Sequence, residues 1–318
     1  MARVTRRMFV TRSLFATGAG MGILASRASV ARAADASVLP GAKYAICNET
    51  FKDWPFDKAF ALAAECGYTG IEIAPFTIAD YVTRIPATRR TEVRRQAEKA
   101  GLEVVGLHWI LAKTQGFHLT SADAAVRRRT VEYLGELARF CADLGGKVLV
   151  FGSPKQRDLA PGMDRKAGMQ HAADVILAVL PALEKTGVTL LLEPLSPATT
   201  NFLNTAADAV ELIGMVGSPH CRLHLDCLAM SSEAAPIPEL IRKHRSQLAH
   251  FHANDPNGLG PGFGKLDFVP IFRALQAIDY RGWISVEVFN DKPGPERIAR
   301  QSIAHMRDCW AKAAVSGR

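Results

Sequence analysis

Between residues 43 and 289 the chain repeats one alternation eight times, a short apolar run followed by an amphipathic stretch. The runs lie near residues 43–49, 69–75, 103–109, 147–153, 188–194, 222–227, 248–253 and 283–289. Short aliphatic runs bounded by polar or glycine residues are read as buried strands. Between them, 123–144 sets Val131, Leu134, Leu137, Ala138, Cys141 and Leu144 at the three-and-four spacing of a helix with one buried face. Gly67, Gly101, Gly145 and Gly187 each stand just before a strand, where a helix end needs a left-handed residue. The repeat is therefore strand, helix, strand. Eight such units without long gaps predict an α/β chain folded as a single closed (β/α)8 TIM barrel rather than an open doubly wound sheet. No Gly-x-Gly-x-x-Gly follows an early strand, which removes the usual dinucleotide signature.

Residues 1–33 stand outside that alternation. Thr5-Arg6-Arg7-Met8-Phe9-Val10 precedes an apolar, glycine- and alanine-rich stretch over 14–25, and Ala31-Arg32-Ala33 has the small-x-small pattern of a cleavage site. These are the marks of a twin-arginine (Tat) signal, so 1–33 is expected to be a signal peptide and 34–318 the barrel domain, delivered to the periplasm. The apolar stretch is short for a bilayer, and no stable membrane insertion is expected after cleavage. The segment holds six arginines and no acid, so its removal takes the formal charge from +8 to +2. A chain that close to neutral makes no electrostatic case for nucleic acid. The six cysteines form no Cys-x-x-Cys pair and sit mostly inside apolar patterns, where a buried, reduced thiol is expected.

In a barrel of this kind the C-terminal strand ends face the active-site mouth. Those ends here carry Glu49, Glu72, His108 and Trp109, Lys155 and Arg157, Glu193, Asp226, His252 and Glu287. A carboxylate at the end of a buried strand is costly unless it is paired or bound to a cation. Glu193, Asp226, His252 and Glu287 come from four consecutive strands and are spaced by 33, 26 and 35 residues, about one strand–helix unit each. Three oxygen ligands and one imidazole suit a divalent metal with room for a substrate, Mn²⁺ first, with Mg²⁺, Co²⁺ or Zn²⁺ also accommodated. His108 and Trp109 suit a sugar ring, Lys155 and Arg157 suit a carboxylate, a phosphate or hydroxyls, and Asp255, closing His-Phe-His-Ala-Asn-Asp, joins the substrate-binding set. His250 shares the face of His252 one layer deeper and reads as a supporting group. Glu49 and Glu72 are expected to meet substrate hydroxyls or to pair with Lys155 or Arg157. The loop 258–264, with four glycines, is expected to be a mobile cover.

The motifs Leu-Leu-Glu-Pro, His-Leu-Asp, His-Phe-His-Ala-Asn-Asp and Ser-Val-Glu-Val, around Glu193, Asp226, His252 and Glu287, resemble the xylose isomerase-like barrel superfamily of sugar isomerases and epimerases. The resemblance is closest to ketose 3-epimerases and hydroxypyruvate isomerases. It implies that Glu193 and Glu287 both bind the metal and act as the acid/base pair on an enediolate formed from a small carbohydrate. Three substrate-holding positions of the ketose 3-epimerases are changed here, to Thr199, Ala229 and Gly258, which separates the metal chemistry from ketohexose specificity. The resemblance extends to endonuclease IV, but the extra histidines of a three-metal site are missing three residues past Asp226 and after the seventh run. Two other activities stay compatible with the residues: a lyase or hydratase of 3-keto sugars or glycosides on the same metal site, and a non-catalytic periplasmic sugar-binding protein. A homo-oligomer is compatible with any of them.

Overall fold

The computed structural model describes residues 41–315. The expected export signal and cleavage site, residues 1–33, lie outside the described residues. Eight strands form in the predicted places: β1 (Lys43–Cys47), β2 (Gly70–Ile73), β3 (Glu103–Leu107), β4 (Val148–Phe151), β5 (Thr189–Leu192), β6 (Cys221–Asp226), β7 (Leu248–Ala253) and β8 (Trp283–Val286). Each pairs in parallel with the next, and β8 returns to β1 with Tyr44 opposite Ile284 and Ile46 opposite Val286. The single closed (β/α)8 barrel is thus as the repeat predicts.

The helices are α1 (Phe56–Cys66), α2 (Ala87–Lys99), α3 (Ala124–Asp143), α4 (Arg165–Thr186), α5 (Ala206–Val216), α6 (Cys227–Met230), α7 (Ile237–Lys243), α8 (Phe268–Ala277) and α9 (Pro295–Val315). The starts are written in side chains that satisfy orphan amides: Asp123 accepts from Ala125 N at 2.7 Å, and Thr205 and Asp208 form a reciprocal capping box. The ends are written in glycines: Gly67, Gly101, Gly145 and Gly187 all have positive φ. At Gly187 (φ 63°) the left-handed turn lets its N–H reach Glu184 O at 3.1 Å and feeds the chain straight into β5.

The apolar core lies between the strands and the helices. Tyr133, Leu134, Leu137, Ala138, Phe140 and Cys141 of α3 are buried against it, and each large apolar side chain of this kind contributes roughly 1.5–3 kcal/mol by leaving water. Inside the barrel the filling is different. Alternation along the strands sends Cys47, Glu72, His224, His250, His252 and Ser285 inward, all at most 1% exposed, so one end of the barrel interior is polar rather than aliphatic. All six cysteines are free thiols, as expected. Among the described residues no helix is long and apolar enough to cross a membrane.

Candidate active site

Four strand ends meet at one mouth. β6 delivers Asp226, β7 delivers His252, and Glu287 follows β8; these three offer ligand atoms that all lie within 4.8 Å of one another and are buried. Glu193, after β5, stands beside that triad rather than within it. Its carboxylate occupies the space over Gly152 at the end of β4, where a Cβ would fall 1.8 Å from Glu193 Oε2. Of the four expected ligands, Asp226, His252 and Glu287 converge and Glu193 flanks them.

These three donors could hold a cation, and their electrostatics are unusual. Burial, and then repulsion from Glu287, pushes Asp226 up to about 7. Burial, with Glu287 and Asp226 nearby, drives Glu193 well above the carboxylate range. Burial would raise Glu287 as well, but His252 beside it and the hydrogen bonds it accepts hold it below its ordinary value. Buried carboxylates crowded this closely resist ionising together, and an oxygen-rich set with one imidazole could hold a hard or borderline divalent ion.

Each donor is held by a neighbour. Asp226 Oδ1 accepts from Ala229 N at 2.8 Å and Oδ2 from Asn254 Nδ2 at 2.6 Å. Trp109 Nε1 donates to Glu287 Oε1 at 2.6 Å from a residue in the left-handed region (φ 52°), a strained backbone for a bulky side chain. His252 Nδ1 lies 3.0 Å from Glu287 Oε2, while its other nitrogen faces Glu72 Oε2 at 3.2 Å. Glu72 also meets His250 Nε2 at 2.5 Å. Burial opposes ionisation of Glu72, yet His250 and His252 overcome it and hold the group well below the usual range. A carboxylate behind a histidine ligand fixes its tautomer and ring orientation, so Glu72 supports the site from behind. It does not face substrate hydroxyls, Lys155 or Arg157.

A cavity of about 440 Å³ opens over Glu193 and Glu287 and is lined by His108, Trp109 and Lys155. Phe76, Lys113 and Phe289 also line it; none belongs to the predicted substrate set, although Phe289 closes the eighth apolar run. Thr199 and Ala229 are on its wall, and Gly258 is not. His108 Nε2 lies 2.6 Å from Glu49 Oε2, an imidazole–carboxylate pair at the mouth.

Two members of the predicted substrate set have other work. Arg157 is fully buried and its guanidinium is used up on main-chain oxygens, Glu193 O at 2.6 Å, Ser153 O at 3.3 Å and Phe151 O, so it clamps β4 to β5 and does not line the cavity. Asp255 is fully buried and accepts from the amides of Gly262, Gly264 and Leu266 at 3.0, 2.9 and 3.0 Å. Those bonds tie down the 258–264 loop, and Gln301 of α9 adds another to Gly262 O at 2.9 Å. The loop does not line the cavity and is a fastened turn, which corrects the expectation of a mobile cover.

The family description "Xylose isomerase-like TIM barrel" matches residues 60–309. An L-ribulose 3-epimerase from Mesorhizobium japonicum is 32% identical over 197 residues, 61% of this chain and 65% of that protein, just under two thirds of its length. A D-psicose 3-epimerase from Enterocloster bolteae is 27% identical over 259 residues, 78% of this chain and 83% of that one. In fold, the apo 3-keto-D-glucoside 4-epimerase of Escherichia coli superposes with a TM-score of 0.73 at 23% identity, covering 85% of this chain and 100% of that one. With its closed barrel, and with sugar epimerases as its relatives, the chain belongs to the xylose isomerase-like TIM barrel family.

Proposed function

We propose that the chain is a periplasmic, divalent-metal-dependent sugar isomerase or epimerase that moves a proton on the carbon beside a ketone by way of an enediolate. The observation that carries this reading is the placement of two buried carboxylates, Glu193 and Glu287, on one cavity beside Asp226 and His252. On this reading Glu287 accepts a proton from the substrate carbon and Glu193, across the same cavity, donates one from its own position, giving inversion or a shifted carbonyl according to where it is delivered. Trp109 pins Glu287 Oε1, which limits the orientation from which that carboxylate can act. Asp226, His252 and Glu287 would hold the ion, Mn²⁺ fitting the oxygen-rich set first, and its positive charge would stabilise oxygen anions beside the reacting carbon. His108 and the indole of Trp109, both on the cavity wall, are placed to meet the sugar itself.

The test is proton exchange. Mature protein loaded with Mn²⁺ is incubated with a panel of ketoses and keto-glycosides in deuterated water. Enzyme-dependent deuteration beside the ketone, lost in a protein stripped with chelator, is the expected result. A panel that binds without any exchange would leave a sugar-binding protein, and exchange with expulsion of an oxygen substituent would move the assignment to a lyase.

A further inference from the structure

The cavity is electrically lopsided. Its floor carries Glu193 and Glu287, whereas the loops that follow β3 and β4 bring Lys113 and Lys155 to its wall. Among the described residues neither lysine forms an ion pair; the only partner of Lys113 is the ring of Phe76, 4.5 Å from Nζ to centroid. The backbone itself holds Lys113 there. It has φ of 60°, and together with Trp109 it makes two left-handed, non-glycine residues in one five-residue stretch. Such conformations are unfavourable for a residue with a Cβ and persist where surrounding bonds enforce them.

The bonds that enforce them lace the two lysine-bearing loops together. Leu111 N donates to Ser153 Oγ at 3.2 Å, Leu119 N to Gln156 O at 2.7 Å, and Thr120 Oγ1 to Arg157 O at 3.0 Å. Arg157, locked beneath Lys155, fixes the turn to β5. The wall is thus one rigid piece with two cations on it. Either ammonium could donate to hydroxyls, but two cations side by side on one wall suit an anionic group better.

Taking the cavity as the substrate site of the proposed function, we infer that the substrate is an anionic sugar derivative. Its hydroxyketone end lies on the carboxylate floor and its anionic end, a carboxylate or a phosphate, lies on the Lys113–Lys155 wall. The wall attracts an anion, so one charge on the substrate sets which end lies against Lys113 and Lys155.

The experiment measures equilibrium binding of a matched set to Mn²⁺-loaded protein by calorimetry: a ketohexose, its terminal carboxylate and its terminal phosphate. At least one anion should bind about tenfold more tightly than the neutral sugar, the gain expected from two partly exposed ion pairs, and added salt should erode the difference. The ratio should collapse towards one in Lys113→Met/Lys155→Met, and Lys113→Arg/Lys155→Arg should keep it; melting curves of both variants check the fold. Which anion gains more identifies the group. Equal affinity for neutral and anionic sugars, or a preference that survives the double methionine variant, overturns the inference. Deuterium exchange in the same samples reads the catalytic proposal separately: lysine-dependent binding without exchange leaves the anion wall standing and removes the epimerase, whereas exchange on neutral sugars alone does the reverse.

Discussion

Glu287 meets His252 on one oxygen and Trp109 on the other, so its replacement by glutamine keeps the shape and an oxygen donor and removes the base. Glu287→Gln should lower turnover by roughly a hundredfold or more while a substrate analogue binds within several-fold of wild type. Turnover near wild type with metal retained would exclude this residue as the base. Asp226→Asn and His252→Ala act on the ion instead. Each should lose bound metal and the thermal stabilisation that metal confers on the folded chain, read by metal analysis and by melting with and without Mn²⁺. The acidity of Asp226 adds a pH dependence with a definite sign. In metal-free protein its folded value of about 7 lies above the ordinary 3.8, so between about pH 4 and 7 the folded chain holds a proton that the unfolded chain has released. Stability of the metal-free form therefore falls as pH rises through that window, by a few kcal/mol at most, since each tenfold change in an ionisation constant is worth about 1.4 kcal/mol. His252, whose folded value is raised because Glu72 and Glu287 outweigh its burial, acts in the same direction. The lowered carboxylates Glu72 and Glu287 lose their contribution only at more acidic pH. Mn²⁺ should consequently raise the melting temperature more at pH 8 than at pH 5, and an equal gain at both would show that these carboxylates are not where the ion sits.

The strand ends show where small residues serve large ones. Gly152→Ala, at the end of β4, puts a Cβ into Glu193 and must displace that carboxylate. Activity should fall at least tenfold while the melting temperature moves little, because the added methyl faces the cavity and not the apolar core. Full activity would mean that the Glu193 position is not critical. The eight strands can be read from the sequence because each short aliphatic run carries its own signal, and the helix ends because glycine at a left-handed position is a local requirement. Glu193, Asp226, His252 and Glu287 can be read because charge at the end of a buried run is conspicuous. The role of Glu72 cannot: in Gly-Ile-Glu-Ile it has no local partner, and the histidines that explain it arrive 178 and 180 residues later. Arg157 and Asp255 escape for a related reason, since their partners are backbone atoms, which no sequence pattern displays. Phe76, Lys113 and Phe289 enter the cavity from irregular loops, whose path is set by long-range bonds such as Gly258 O accepting from Phe289 N at 2.8 Å.

At the scale of the whole molecule the proposed export gives one prediction, which rests on residues outside the barrel. Replacing Arg6 and Arg7 by lysine should leave the precursor in the cytoplasm, as measured by fractionation; normal delivery of that variant would remove the twin-arginine assignment. The barrel also has a seam. β8 pairs with β1, and across that joint Cys47 Sγ and Ser285 Oγ, 238 residues apart, approach to 3.7 Å. Glu287 follows the last strand, so the third donor of the proposed ion site arrives only when β8 docks on β7. Contacts so distant in the chain form late, after the nearer strand–helix units have assembled. An ion held by donors that meet only once β8 has docked should leave the early refolding rate unchanged and slow the release of that strand, making the metal a latch on lifetime rather than a guide to folding.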